Sequence, residues 1–209
     1  MKYTTVFWDF NGTIVDDVGL GIASVNRMLA KRGLKTIDSV AEYHRLFRFP
    51  VSEYYRLLGF DFSKEPYEDL AVEWVALYTA GEKAIPLSPG FAEVWQDLHD
   101  RGVRQIIISS SETEMLHRQL NHLGLAGKFD RVIGTDNIYA GGKIETARRY
   151  LGRNGTGAVL IGDTTHDADT ARAIGADCIL YTGGHGSVQS LAACGVPTVE
   201  RLTDLIGLL

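Results

Sequence analysis

Four short stretches of the chain carry side chains suited to holding a phosphoryl group beside a metal ion. WDFNGT supplies Asp9, Asn11, Gly12 and Thr13; IIISS supplies Ser109 and Ser110; Lys143 stands by itself; GDTTHD supplies Asp163 and Asp167. Carboxylates suit magnesium, a hard ion that prefers oxygen and keeps several waters. A lysine and hydroxyls suit phosphoryl oxygens, and backbone amides at turns and helix starts add donors.

Such residues act together only if the fold gathers them. Apolar runs bounded by turn residues recur at 4–10, 104–110, 131–134, 157–163 and 177–183, and they read as buried parallel strands. Helical patterns lie between the later ones, as in FAEVWQDLHDRG, ETEMLHRQLNHLG, KIETARRYLG and DADTARAIG. Strand and helix alternating in this way predict an α/β fold with a doubly wound parallel sheet. In such sheets ligands bind beyond the carboxyl ends of the strands, which is where all four stretches fall. Residues 18–84 break the rhythm with helical patterns such as VGLGIASVNRMLAKRG and YEDLAVEWVALYTAGE, and no convincing strand. They predict an all-helical insertion, leaving a core of residues 1–17 and 85–209, with a stiff re-entry at Pro86, Pro89 and Gly90.

DFNGT, IIISS, Lys143 and GDTTHD, in that order, resemble the four motifs of the haloacid dehalogenase (HAD) superfamily, over nearly the whole chain. FRFPVSEYYRLLGFDF, DNIYAGGK and GDTTHDADTARAIGADC resemble its phosphoglycolate phosphatase-like branch, in which a helical cap interrupts a Rossmann-like core between the first and second motifs. The resemblance implies a magnesium-dependent phosphohydrolase of small phosphorylated metabolites that works through an aspartyl-phosphate. It makes Asp9 the nucleophile and puts Asp163 and the backbone carbonyl of Asn11 around Mg2+ with Asp9. Asp167 would belong to the same metal site, orienting a bound water or Lys143. Ser109 and Lys143 would neutralise the phosphoryl group, with Gly12, Thr13 and Ser110 completing its cradle.

Asn11 departs from the pattern. The family usually has a second aspartate there, which protonates the leaving group and later activates water. An amide has no titratable proton, and a step of that kind is worth about 10²- to 10⁴-fold. Four explanations stay open. The substrate has a good leaving group, such as an acyl phosphate; or His44, His166 or His185 substitutes; or the Asn-Gly pair deamidates to aspartate; or the protein is a noncatalytic phosphate-ligand sensor, or carries an asparagine introduced to trap substrate. In YHRLFRFPVSEYYRLLGF, Arg45 and Arg48 are candidates to contact the non-transferred part of a substrate, against the plainer reading of solvated helix-face arginines. Tyr54, Tyr55, Leu57 and Leu58 read as cap core, and Asp16 and Asp17 as capping or hinge residues.

The bulk properties fit a small-molecule enzyme. With 209 residues, 45% of them hydrophobic and 22% charged, the chain can bury a large core. A net charge of -5 without a basic stripe argues against nucleic acid and anionic membranes as partners. No apolar run reaches the roughly 18 residues of a membrane span, and the cytoplasm is the expected location. Cys178 and Cys194 have neither metal-site spacing nor a disulfide framework, and the chain is expected to act as a monomer or homodimer.

Overall fold

Alternation along the strands builds the centre of the molecule. In the computed structural model, which describes residues 2–136, 142–151 and 157–209, Val6 and Trp8 of β1 (Thr5–Trp8) enter one apolar cluster while Phe7 enters another on the opposite face. Ile107 of β2 (Arg104–Glu112) joins the first cluster, and Ile106 and Ile108 join the second. β4 (Ala158–Gly162) divides the same way, with Val159 and Ile161 against Leu160. A strand buried on both faces needs apolar residues at every position, so these segments read as continuous runs.

The sheet is entirely parallel, in the order β3-β2-β1-β4-β5-β6, with β3 at Arg131–Thr135, β5 at Asp177–Tyr181 and β6 at Thr198–Val199. The chain runs outward from β1 to β3, then crosses back to place β4 on the other side of β1. The crevice between β1 and β4 is therefore the topological switch point, where doubly wound sheets bind ligands. Helices α5 (Phe91–Asp100), α6 (Thr113–His122), α7 (Lys143–Leu151), α8 (Thr165–Ile174) and α9 (Val188–Ala192) cover the sheet. β6 and α9 escape the periodicity reading because two and five residues are too short to carry a pattern. Both cysteines are free and Cys178 is buried.

Between β1 and β2 lie α1 (Val18–Lys31), α2 (Val40–Leu46), α3 (Val51–Leu57) and α4 (Tyr67–Gly81), and residues 18–84 contain no strand. Val25, Met28 and Leu29 of α1 pack with Tyr43, Tyr54, Tyr55 and Leu70 in a cluster of their own. Leu57 is an exception to the expected cap core, being 51% exposed. The two chain crossings run side by side: Asp16 N donates to Pro86 O at 3.0 Å and Ser88 N to Ile14 O at 2.9 Å. Beyond them the buried Glu82 accepts from Arg118 and Gln119 on α6.

At the re-entry Phe91 is fully buried and meets Trp8 edge-on, with ring centroids 5.3 Å apart. Phe91→Ala is expected to lower stability by about 3–5 kcal/mol, read as a fall in the urea midpoint. An unchanged midpoint would show that the contact between re-entry helix and central strand carries little of the core.

Candidate active site

The loop after β1 is shaped by its own backbone. Phe10 O accepts from the amides of Thr13, Ile14 and Val15 at 3.3, 2.9 and 3.1 Å, turning the chain sharply back. Gly12 has φ +72°, and a Cβ there would lie 2.2 Å from Asp163 Oδ2, so position 12 tolerates no side chain. Thr13 Oγ1 donates to Asp163 Oδ1 at 3.0 Å, and Asp9 N continues the ladder to Ile161 O at 2.8 Å. The loop is thus clamped to the end of β4.

Three buried carboxylates converge at this point. Asp9, Asp163 and Asp167 present oxygens that all lie within 4.8 Å of one another. Lys143, at the start of α7 and 2% exposed, donates to both Asp9 and Asp167. Asp167 also closes the N-terminus of α8: its Oδ2 accepts from Thr164 N at 2.9 Å, Thr164 Oγ1 at 2.6 Å and Asp163 N at 3.2 Å. Both of its oxygens are engaged, which suits it to position Lys143 more than to hold a metal ion. Burial, reinforced by the Asp167 charge, holds the Asp9 carboxyl well above the usual range, and burial pushes Asp163 up to about 6. Burial opposes the charge on Lys143, but Asp167 and Asp9 outweigh it and raise its pKa. One ammonium leaves the three carboxylates with unbalanced negative charge and an all-oxygen donor set, which fits a hard divalent cation. Ser109 is buried at the end of β2, where its Oγ accepts from Ser111 N at 3.1 Å; Ser110 is half-buried.

Asn11 is held on every side. Its Nδ2 donates to Asp17 Oδ2 at 2.8 Å and to Tyr78 OH at 2.9 Å, and its Oδ1 accepts from Ser111 Oγ at 2.8 Å. Asp17, by sequence a capping or hinge residue, is a buried hub. It accepts from Gly12 N at 2.7 Å and Tyr78 OH at 2.7 Å, lies 3.2 Å from His185 Nε2, and makes no side-chain cap to α1. Burial would raise its pKa, but His185 and these donors prevail and lower it. Burial likewise opposes charge on His185, and Asp17 overrides it to bring His185 up to about 9, an imidazolium at neutral pH. His185 Nδ1 meets Tyr43 OH at 2.7 Å, so both ring nitrogens are engaged away from Asp9. His44 Nε2 is likewise spent on Gly184 O at 2.9 Å. His166 stacks on Phe49 with centroids 4.7 Å apart, and burial lowers its pKa. Nothing in the doublet Asp16-Asp17 separates the exposed first acid from the buried second, because two of the partners that bury Asp17, Tyr78 and His185, are distant in sequence.

A cavity of about 160 Å³ opens from Asp9, Asn11, Ser109 and Lys143 toward α2, α3 and α4. Arg45 and Arg48 do not line it, contrary to the expectation that they meet a substrate. Both are exposed, and Arg48 donates to the carbonyls of Leu46 and Arg45. The wall at that level is aromatic, built from Tyr43, Phe47 and Phe49. Tyr54 and Tyr55, expected as cap core alone, belong both to the cap cluster and to this wall. The DNIYAGGK segment lies largely outside the described residues.

A family model described as haloacid dehalogenase-like hydrolase matches residues 6–181. A phosphoglycolate phosphatase of Synechococcus elongatus is 27% identical over 211 residues, covering 96% of this chain and 94% of its own. The tyrosine-protein kinase PtkA of Mycobacterium tuberculosis is 24% identical, covering 97% of this chain and 72% of its own. Among solved structures, a haloacid dehalogenase-like protein of Streptococcus pneumoniae superposes with a TM-score of 0.81 at 20% identity, over 99% of this chain and 98% of its own. CbbY of Rhodobacter sphaeroides, in complex with phosphate, does so at 0.74 and 19%, over 97% and 96%. These superpositions establish the shared fold.

The asparagine amide matches the carboxylate it faces. Asn11→Asp replaces a donor to Asp17 with a second acid and is expected to cost about 1–3 kcal/mol, read as a lower melting temperature. A variant as stable as the parent would mean that Asp17 does not depend on the amide.

Proposed function

The chain belongs to the haloacid dehalogenase-like hydrolases, and from that premise we propose that it is a magnesium-dependent phosphatase acting on a small phosphorylated metabolite through an aspartyl-phosphate on Asp9. The observation that carries the reading is the meeting of Asp9, Asp163 and the Lys143-Asp167 pair at the switch point between β1 and β4. The phosphoglycolate phosphatases among the relatives support the reaction class. The relative called a kinase is a reminder that the scaffold alone does not decide it.

Asp9 supplies the attacking oxygen, so it has to be ionised in a buried place that resists ionisation. Lys143 provides one compensating charge, held at that spot by Asp167. A magnesium ion, held by Asp9, Asp163 and the Asn11 carbonyl, would supply the remaining positive charge and a contact to the phosphoryl oxygens. Thr13 keeps Asp163 oriented, and Ser109 and Ser110 would hold the phosphoryl oxygens, whereas the Gly12 amide, expected in that cradle, is spent on Asp17. The bond from Asp9 to phosphorus forms as the ester oxygen leaves; water then cleaves the acyl phosphate, releasing inorganic phosphate and regenerating Asp9. Neither Asn11 nor His185 and His44, whose ring nitrogens in question are engaged elsewhere, hands a proton to the leaving oxygen. Among the described residues no helix is long and apolar enough to cross a membrane. Action in the cytoplasm, without nucleic acid, belongs to the same proposal and rests on composition.

Purified protein with magnesium is expected to release phosphate from a panel of phosphomonoesters and acyl phosphates, and Asp9→Ala to abolish it. Release by the variant at the parental rate would remove Asp9 as the nucleophile, and no release by the parent would leave the binding of a phosphorylated ligand without turnover as the surviving reading. Magnesium at 100 times its Kd should stabilise the parent by about 2.7 kcal/mol. Thermal melts should show that shift lost in Asp163→Asn, and a shift that persists there would remove Asp163 from the metal site.

A further inference from the structure

Resting on the phosphatase reading, we propose that the ester bound here carries a single aromatic ring as its leaving group, seated between cap and core against Tyr43, Phe47, Phe49, Tyr54 and Trp74. Those side chains line the same cavity as Asp9 and Lys143, so the ring site and the phosphoryl site are continuous. Its size limits the leaving group: the whole cavity, phosphoryl end included, measures about 160 Å³, and an apolar protein cavity of roughly 150 Å³ takes up benzene, so beside a phosphoryl group there is room for no more than one ring. Aromatic walls offer such a ring stacked and edge-on contacts, the arrangements these side chains already make with one another.

The charges in the wall point the same way. Among the described lining residues the cations are Lys143 and His185, and each is already paired, Lys143 with Asp9 and Asp167 and His185 with Asp17. A short ester with a carboxylate on its non-transferred part finds no free cation there. Tyr54 adds a second mark. It lines the cavity and is 3% exposed, and its hydroxyl has no hydrogen-bond partner among the described residues. A buried hydroxyl left unpaired is costly, so this residue of the wall holds a polar group that the fold itself does not satisfy.

Asn11 fits a leaving group of this kind. An alkoxide leaves poorly without a proton, whereas a phenol, ionising near ~10 as tyrosine does, leaves as a tolerable anion. As Asp9 bonds to phosphorus, the bond from phosphorus to the aryl oxygen breaks. The electron pair departs with that oxygen, which then takes a proton from water. Hydrolysis of the aspartyl-phosphate consumes one water and returns Asp9, so the sum is aryl phosphate and water to phenol and phosphate. A small acyl phosphate also leaves easily, but it would leave the aromatic wall unfilled.

Two measurements on the magnesium-loaded protein separate ring recognition from chemistry. In calorimetric titration, phenylphosphonate, which cannot be hydrolysed, should bind at least about tenfold more tightly than methylphosphonate. In turnover, phenyl phosphate should exceed 2-phosphoglycolate and glycerol 3-phosphate in kcat/KM by on the order of 10²-fold. Equal binding of the two phosphonates overturns the ring site whatever the turnover, and so does a preference for the short esters. Tight phenylphosphonate binding with no phosphate released from any ester supports the ring site and overturns the phosphatase reading instead.

Discussion

Everything at the site depends on one buried ammonium. Lys143 lies between Asp9 and Asp167 with almost no exposure, at a place where burial works against charge on all of them. Removing a partner from such a group leaves an uncompensated charge in the interior, so the arrangement holds only as a set. The fold supplies each member from a different strand end or helix start: Asp9 from β1, Lys143 from α7 and Asp167 from the first turn of α8. Parallel strands in register bring these ends to one edge, and the switch point leaves the crevice in which they meet.

A second network ties this centre to the helices above it. Asp17 collects donors from the Gly12 amide, Asn11 and Tyr78 and faces the imidazolium of His185, which in turn reaches Tyr43. Tyr43 and Tyr78 come from α2 and α4, so these helices rest on the same acid that fixes the loop after Asp9. In this setting the asparagine is a structural necessity of its surroundings: an amide can donate twice toward Asp17 and Tyr78, and a carboxylate cannot. The same amide that offers no titratable proton completes the network.

Much of this was legible in the order of residues. The buried strands announce themselves as apolar runs, and the carboxylates, serine and lysine fall directly after them or at a helix start. The family resemblance rests on those same positions. Residues joined only through space were not legible. Asp17 and Asp16 look alike in sequence, and it takes Tyr78, 61 positions away, and His185, 168 positions away, together with the folded loop at Asn11 and Gly12, to separate them. Charge near a proline break suits a binding loop, yet the folded chain leaves Arg45 and Arg48 exposed and presents aromatic rings to the cavity. Tyr54 belongs to the core, but a core residue can also be a wall, and periodicity does not distinguish the two.

The central claim is that Asp9 carries the phosphoryl group although residue 11 offers no proton. Mixing enzyme, magnesium and phenyl phosphate, quenching in acid within the first turnover and mapping the phosphorylated peptide by mass spectrometry tests it most directly. The account predicts an acid-stable, base-labile phosphoryl group on Asp9, formed together with an equivalent of phenol. Phenol released with no modified Asp9 at any time, or a phosphoryl group found on another residue, would contradict it.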